Sequence, residues 1–167
     1  MIYVIDAFNV LYKFTELEDF MYSGELAAAR KGLCRILTSY AKLKKPAASV
    51  MHLFFDGKKN QGDETIQEEL GSLHLYYGHD FSADHLIKEF IKRYPQTGNL
   101  MVVTSDKDIR FFAKKHKCQL SLSEDFAKLV EESLQKANTK EQPPEKPESL
   151  GEDEINFWKK MFRERKK

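Results

Sequence analysis

The chain has 167 residues, of which 41% are hydrophobic, 12% aromatic and 32% charged, enough for one domain with a buried core and a heavily solvated surface. A formal net charge of +1 excludes any argument for a nucleic-acid or membrane partner from bulk charge, so a functional reading has to rest on local residues. Cys34 and Cys118 stand far apart with no CxxC or Cys/His grouping, which excludes a disulfide framework and a structural zinc, and no apolar run approaches the ~20 residues that cross a bilayer.

Met1 leads straight into Ile2-Tyr3-Val4-Ile5 without a basic leader, so a reducing, cytoplasmic location is expected and no membrane partner. Residues 2–5 form a short β-rich apolar run ending at Asp6, the pattern of a strand buried on both faces of a parallel sheet. Between 25 and 43, Leu26, Ala29, Leu33, Ile36, Leu37 and Tyr40 recur every three or four positions and predict one buried helical face. Residues 50–55 read as a second strand closing on Asp56-Gly57, and 73–77 as a third.

Ser82 is placed to cap a helix over 83–94 with Leu86, Ile87, Phe90 and Ile91 inward, which puts Asp84 in its first turn. Residues 100–103 predict a fourth strand entering Thr104-Ser105-Asp106, and Ile109, Phe112 and Ala113 a helix ending near Lys117. A fifth strand follows at 119–122. Ser123 is then placed to cap a helix whose inner face is Phe126, Leu129, Val130 and Leu134. The alternation of strands and helices favours an α/β layered domain with a mostly parallel sheet over residues 1–136.

From 137 to 151 the composition shifts to Lys, Glu, Gln and Ser with three of the five prolines, Pro143, Pro144 and Pro147, and reads as a solvated linker. Beyond it, residues 152–167 predict a short amphipathic helix with Ile155, Trp158, Met161 and Phe162 on one side and a basic opposite side. That helix is suited either to docking on its own domain or to inserting into a partner.

In an open α/β sheet, ligands bind beyond the carboxyl ends of the strands. Asp6, Asp56 and Asp106 end or follow strands, and Asp84 begins a helix at the same predicted edge. Clustered carboxylates raise one another's pKa unless a cation neutralises them, so the pattern points to a hard divalent ion, Mg²⁺ or Mn²⁺, held by oxygen ligands. Such an ion activates water and polarises a phosphodiester, which is hydrolytic nuclease chemistry.

Plainer roles exist for each residue. Asp56-Gly57 is a good turn dipeptide, Asp108 suits a helix N-terminus, and Asn9 is placed to orient a carboxylate, to bind metal-bound water or to cap a first turn. His79 and His85 lack a second ligand at zinc spacing.

Taken in order, Ile5-Asp6-Ala7-Phe8-Asn9-Val10, Phe55-Asp56-Gly57, Ser82-Ala83-Asp84 and Val103-Thr104-Ser105-Asp106-Lys107-Asp108 resemble the motifs of the YacP-like NYN family of PIN-like ribonucleases. The resemblance covers about residues 1–130. It implies a PIN-like three-layer fold and a metal-dependent endoribonuclease leaving 5′-phosphate and 3′-hydroxyl ends. Metal roles carry over onto Asp6, Asp84 and Asp106, with Asn9 as a further catalytic-site residue and Asp56 and Asp108 as additional metal candidates. The sequence departs from the family pattern at Ala7, where Gly is common, and at His85, where a second acid often follows Ala-Asp. The second departure leaves the choice between one ion and two open.

Lys58, Lys59, Lys107, Arg110, Lys114 and Lys115 fall near predicted strand ends or in the following helix, placed to hold an RNA backbone. The resemblance makes single-stranded RNA the expected partner and the ribosome a candidate one. The oligomeric state is not legible. The main alternative is a non-catalytic RNA-binding or adaptor module of the same fold. A haloacid-dehalogenase-type phosphatase wants an acid where Phe8 stands, a receiver domain lacks its paired acids, and no G-x-x-x-x-G-K-[ST] is present.

Overall fold

The computed structural model describes residues 1–44, 49–57, 66–78 and 81–141. Lys58, Lys59, His79, most of the expected linker and the whole expected basic helix lie outside the described residues.

The first strand, β1 (Ile2–Asp6), leads through two short helices, α1 (Ala7–Leu11) and α2 (Thr15–Tyr22), into the long α3 (Leu26–Leu43). Then come β2 (Val50–Phe55), β3 (Ile66–Leu70), β4 (Leu73–Tyr77), α4 (Ala83–Arg93), β5 (Leu100–Val103), α5 (Lys107–Lys115), β6 (Gln119–Ser121) and α6 (Ser123–Glu141). The strands form one sheet in the order β3-β4-β2-β1-β5-β6. All neighbours are parallel except β3 against β4.

Successive residues of a strand face opposite ways, so each strand feeds two cores. On one face Ile5, Leu53, Phe55, Leu75 and Val103 pack with α1, α2, α3 and α6, whose large buried side chains include Tyr40 and Phe126. On the other, Val4, Phe54, Leu100 and Val102 pack with Ala83, Ile87 and Ile91 of α4 and Ile109 and Ala113 of α5. This is the three-layer α/β architecture expected from the motif resemblance. The chain leaves β1 toward α1–α3 on the first face and β5 toward α5 on the second, so the neighbouring pair β1/β5 is the topological switch point, where a crevice opens at the carboxyl ends of the strands.

Three elements escape the periodicity argument, the first being α1, whose five residues are too few to show a helical stripe. α2 buries only Leu17, too little apolar surface to show a helical stripe. β3 reads Ile-Gln-Glu-Glu-Leu, a polar edge strand paired on one side only, joined to β4 by a turn at Gly71 whose φ of +60° favours glycine. Two expected core residues face solvent instead, Leu26 at 42% and Leu129 at 47% exposed. Each sits at the margin of its helix stripe. α6 also continues to Glu141, past the expected start of the linker at 137.

Phe126 links α6 to the sheet and to α3, with its ring centroid 5.7 Å from that of Tyr3 and 6.1 Å from that of Tyr40. Its side chain is 2% exposed, so Phe126→Ala should lower unfolding free energy by about 3–5 kcal/mol. A urea midpoint unchanged from wild type would show that α6 is not part of the cooperative core.

Candidate metal-binding crevice

Asp6 is the last residue of β1 and the N-cap position of α1, yet its carboxylate makes no capping bond to that helix. It turns instead across the switch point, where the Thr104 hydroxyl donates to Asp6 Oδ2 at 3.0 Å. The same hydroxyl accepts the Asp106 backbone N–H at 3.1 Å. Thr104 thereby fixes the end of β1 against the turn leaving β5. Both Asp6, 8% exposed, and Thr104, fully buried, are polar residues inside the protein.

Burial pushes the Asp6 carboxyl up to about 6. The Thr104 hydrogen bond pulls the other way, and the fields of Asp56, Asp106 and Asp84 add to the rise. Those three acids therefore share one electrostatic neighbourhood with Asp6, as their positions at strand ends and a helix start require.

Their local tethers differ. Asp106 is the N-cap of α5, and its Oδ1 accepts the N–H groups of Asp108 at 2.8 Å and Ile109 at 3.1 Å. Asp56 follows β2 and accepts the Ala83 N–H, which joins that strand end to the start of α4. Ser82 caps α4 by accepting the His85 N–H at 3.1 Å, as its position predicted. Just before α4, the Phe81 carbonyl oxygen lies so near Gly78 that a Cβ there would collide with backbone.

Asp84 lies in the first turn of α4. Its Oδ1 is buried and makes no hydrogen bond, although Lys88 Nζ stands 3.2 Å away as an ion-pair partner. Lys88 also reaches Asp108 Oδ2 at 3.3 Å. Asp108 is otherwise open to solvent, its side chain 80% exposed. His85 stacks on the exposed Phe81 ring at 4.6 Å.

Asn9 holds a different part of the crevice. Its Oδ1 accepts the Ser105 N–H at 3.0 Å and the Ser123 hydroxyl. A backbone N–H only donates, which fixes the amide orientation. Ser105 Oγ in turn donates to Glu124 and accepts the Ser123 N–H at 3.1 Å. Asn9, expected as a cap or a water ligand, lies within α1 and clamps the loops after β5 and β6. Ser123, expected to cap α6, turns its hydroxyl to Asn9.

Thr104, Ser105, Lys88 and Glu124 were not singled out as site residues from the sequence. A lysine four residues after an acid in a predicted helix was a legible signal for Lys88, whereas nothing local marked Glu124. Its carboxyl is held below its usual range by the Ser105 hydroxyl, with lesser help from its own backbone and from the fields of Lys13 and Arg110. Of the expected RNA-backbone residues, Lys107, Lys114 and Lys115 are exposed and Arg110 is half-buried, with its Nε buried and without a hydrogen bond.

The donor set suits a hard divalent ion, being composed of carboxylate oxygens, and the buried Asp6 carboxyl, opposed by three neighbouring acids, is the type of group such an ion satisfies. Among the described residues, however, no three His, Cys, Asp or Glu side chains are gathered at a spacing that would hold an ion unaided. The acids share a field without closing a cage. Magnesium commonly keeps several waters and takes only one or two carboxylates, so this openness is compatible with the ion.

No helix among the described residues is long and apolar enough to cross a membrane. No curated protein matches the chain at a significant level. By structure, the chain is similar to Rae1 (YacP) from Bacillus subtilis, in the crystal structure of a mutant, with a TM-score of 0.67 over 98% of this chain and 99% of that chain. At 14% identity that likeness concerns the fold. The family model described as the YacP-like NYN domain matches residues 3–163, which takes in every strand and helix described except the first residue of β1. The chain therefore belongs to the YacP-like NYN domain family, within the PIN-like nucleases, and has at family level an RNA-related, nuclease-like function.

Proposed function

We propose that this protein is a divalent-metal-dependent endoribonuclease that hydrolyses phosphodiester bonds of single-stranded RNA in the crevice at the ends of β1 and β5. The observation that carries the proposal is the buried Asp6, set at the switch point with Asp56, Asp84 and Asp106 in its field. Asp6 and Asp106 are the principal metal-binding residues and Asp84 the third. Asp56 is secondary because it is committed to the Ala83 N–H, and Asp108 because its side chain is 80% exposed. A bound Mg²⁺ or Mn²⁺ supplies Lewis-acid polarisation of the phosphodiester and lowers the pKa of the attacking water.

The protein's own residues do the rest by orientation and charge. Thr104 holds Asp6 and the Asp106 backbone in one register, and Asn9 acts as a positioning residue through Ser105 and Ser123. Arg110, Lys107 and Lys114 on α5 are the cations that meet the phosphate backbone. The openness of the acid cluster favours one competing reading, an RNA-binding module without turnover. The same assay separates the two.

Purified protein incubated with single-stranded RNA should cleave it with Mn²⁺ and not with EDTA. Asp106→Asn should reduce the rate by about a hundredfold or more while preserving the fold, because Asn caps a helix about as well as Asp. Metal-independent cleavage, or an unaffected Asp106→Asn rate, would sink the proposed mechanism. RNA binding without cleavage would leave the binding module.

The pKa of Asp6 gives a second test that needs no substrate. A carboxyl raised from 3.8 to about 6 in the folded protein binds a proton over a range in which the unfolded chain has lost it. Its contribution to stability is fully present below the unfolded value and disappears as pH rises through about 6. A shift of this size corresponds to roughly 3 kcal/mol of destabilisation at neutral pH. In EDTA, Asp6→Asn should therefore be more stable than wild type at neutral pH, with the difference shrinking toward pH 4. Denaturant unfolding at the two pH values checks this, and equal stability at neutral pH would refute it.

A further inference from the structure

Lys88 is a cation inside the acid crevice. It lies one helical turn after Asp84 on α4, and its Nζ bridges to a second helix, 3.2 Å from Asp84 Oδ1 and 3.3 Å from Asp108 Oδ2. Among the described residues, the ion pairs of Asp84 and Asp108 both end on this one ammonium. An exposed i,i+4 pair is ordinarily worth a few tenths of a kcal/mol and needs no functional reading.

Three features set Lys88 apart from such a pair. Its side chain is only 25% exposed. Its ammonium also stands 5.7 Å from the centroid of the Phe112 ring, so the head is placed from α5 as well as from its own helix. The Asp84 oxygen that it faces is buried with no hydrogen bond, so removing the ammonium would leave that charge uncompensated.

The acids of the crevice consequently fall into two groups. Asp84 and Asp108 already share a positive charge. Asp6 and Asp106 are joined only through Thr104, a neutral hydroxyl. We propose that Lys88 fills, as a fixed ammonium, the position between Asp84 and Asp108 that a second divalent ion would need, so that the crevice takes a single Mg²⁺ or Mn²⁺ on its Asp6/Asp106 side. The inference rests on the metal-dependent reading above and concerns how many ions that site accepts. It also assigns Lys88 a positioning role, since the ammonium reaches both oxygens of Asp84, Oδ1 at 3.2 Å and Oδ2 at 3.5 Å, and so holds that carboxylate in place.

The test is Mn²⁺ binding to the full chain without RNA, followed by calorimetry and by the loss of the free-ion electron paramagnetic resonance signal. Wild type should bind one Mn²⁺ per chain. Lys88→Met keeps the apolar stem against Phe112 and removes the charge, and it should gain a second equivalent; Lys88→Arg should stay at one. Added Mn²⁺ should raise the melting temperature of Lys88→Met by more than that of wild type, a response that a purely structural lysine would not produce. Should Lys88→Met fail to fold, Lys88→Gln serves with the same expectations. Two ions bound by wild type, or one ion in every variant at unchanged affinity, would overturn the role of Lys88 while leaving the nuclease reading intact. No Mn²⁺ bound by any of the proteins would overturn both.

Discussion

The Thr104 hydroxyl sits between the two ends of the switch point, donating to Asp6 at 3.0 Å and accepting from the Asp106 N–H at 3.1 Å. One small side chain thus sets the distance between the last residue of β1 and the cap of α5. It does so out of contact with bulk solvent, since Thr104 is fully buried and Asp6 nearly so, where a polar group without a partner is expensive. β5 is further held from its outer side, where the Thr104 N–H bonds to the Ser121 carbonyl, and the following loop is clamped by Asn9. The crevice is therefore positioned by the sheet edge and its loops jointly, and each acid inherits its position from a strand end or a helix start.

Much of this layout was legible because the strands are short, apolar and terminate abruptly in polar residues. β1, β2, β4 and β5 declare themselves by composition, and the helices α3, α4 and α5 by stripes whose buried members are those expected, such as Leu33, Leu37, Ile87 and Ile109. Where the stripe was narrow or the strand lay at an edge, the signal failed. α2 rests on one buried leucine, and β3 carries Glu68 and Glu69 in mid-strand. Periodicity reports burial, and an element that buries little leaves little trace.

The crevice divides along a similar line. That Asp6, Asp56, Asp84 and Asp106 meet at one edge follows from topology, and topology follows from strand order. Which oxygen each acid keeps free does not, because that depends on contacts between residues far apart in sequence. Asn9 lies 96 residues from Ser105 and 114 from Ser123, so its clamp had no local signature. The Lys88 link to Asp108 crosses from α4 to α5 over 20 residues, although its link to Asp84 is a simple helical repeat.

The acids also differ in how far the fold itself compensates their charge. Asp84 and Asp108 lie in the first turns of α4 and α5 and share Lys88, and Asp106 accepts two N–H groups at the α5 N-terminus. Helix N-termini and an ammonium favour negative charge at all three without any added ion. Asp56 has the Ala83 N–H. Asp6 has the N-cap position of α1 but makes no capping bond there, and receives one neutral hydroxyl while burial and three neighbouring carboxylates oppose its charge. A fold that satisfies four acids internally and leaves the fifth destabilised has concentrated its deficit of positive charge at one point. That point, at the end of β1, is where an external cation gains most by binding.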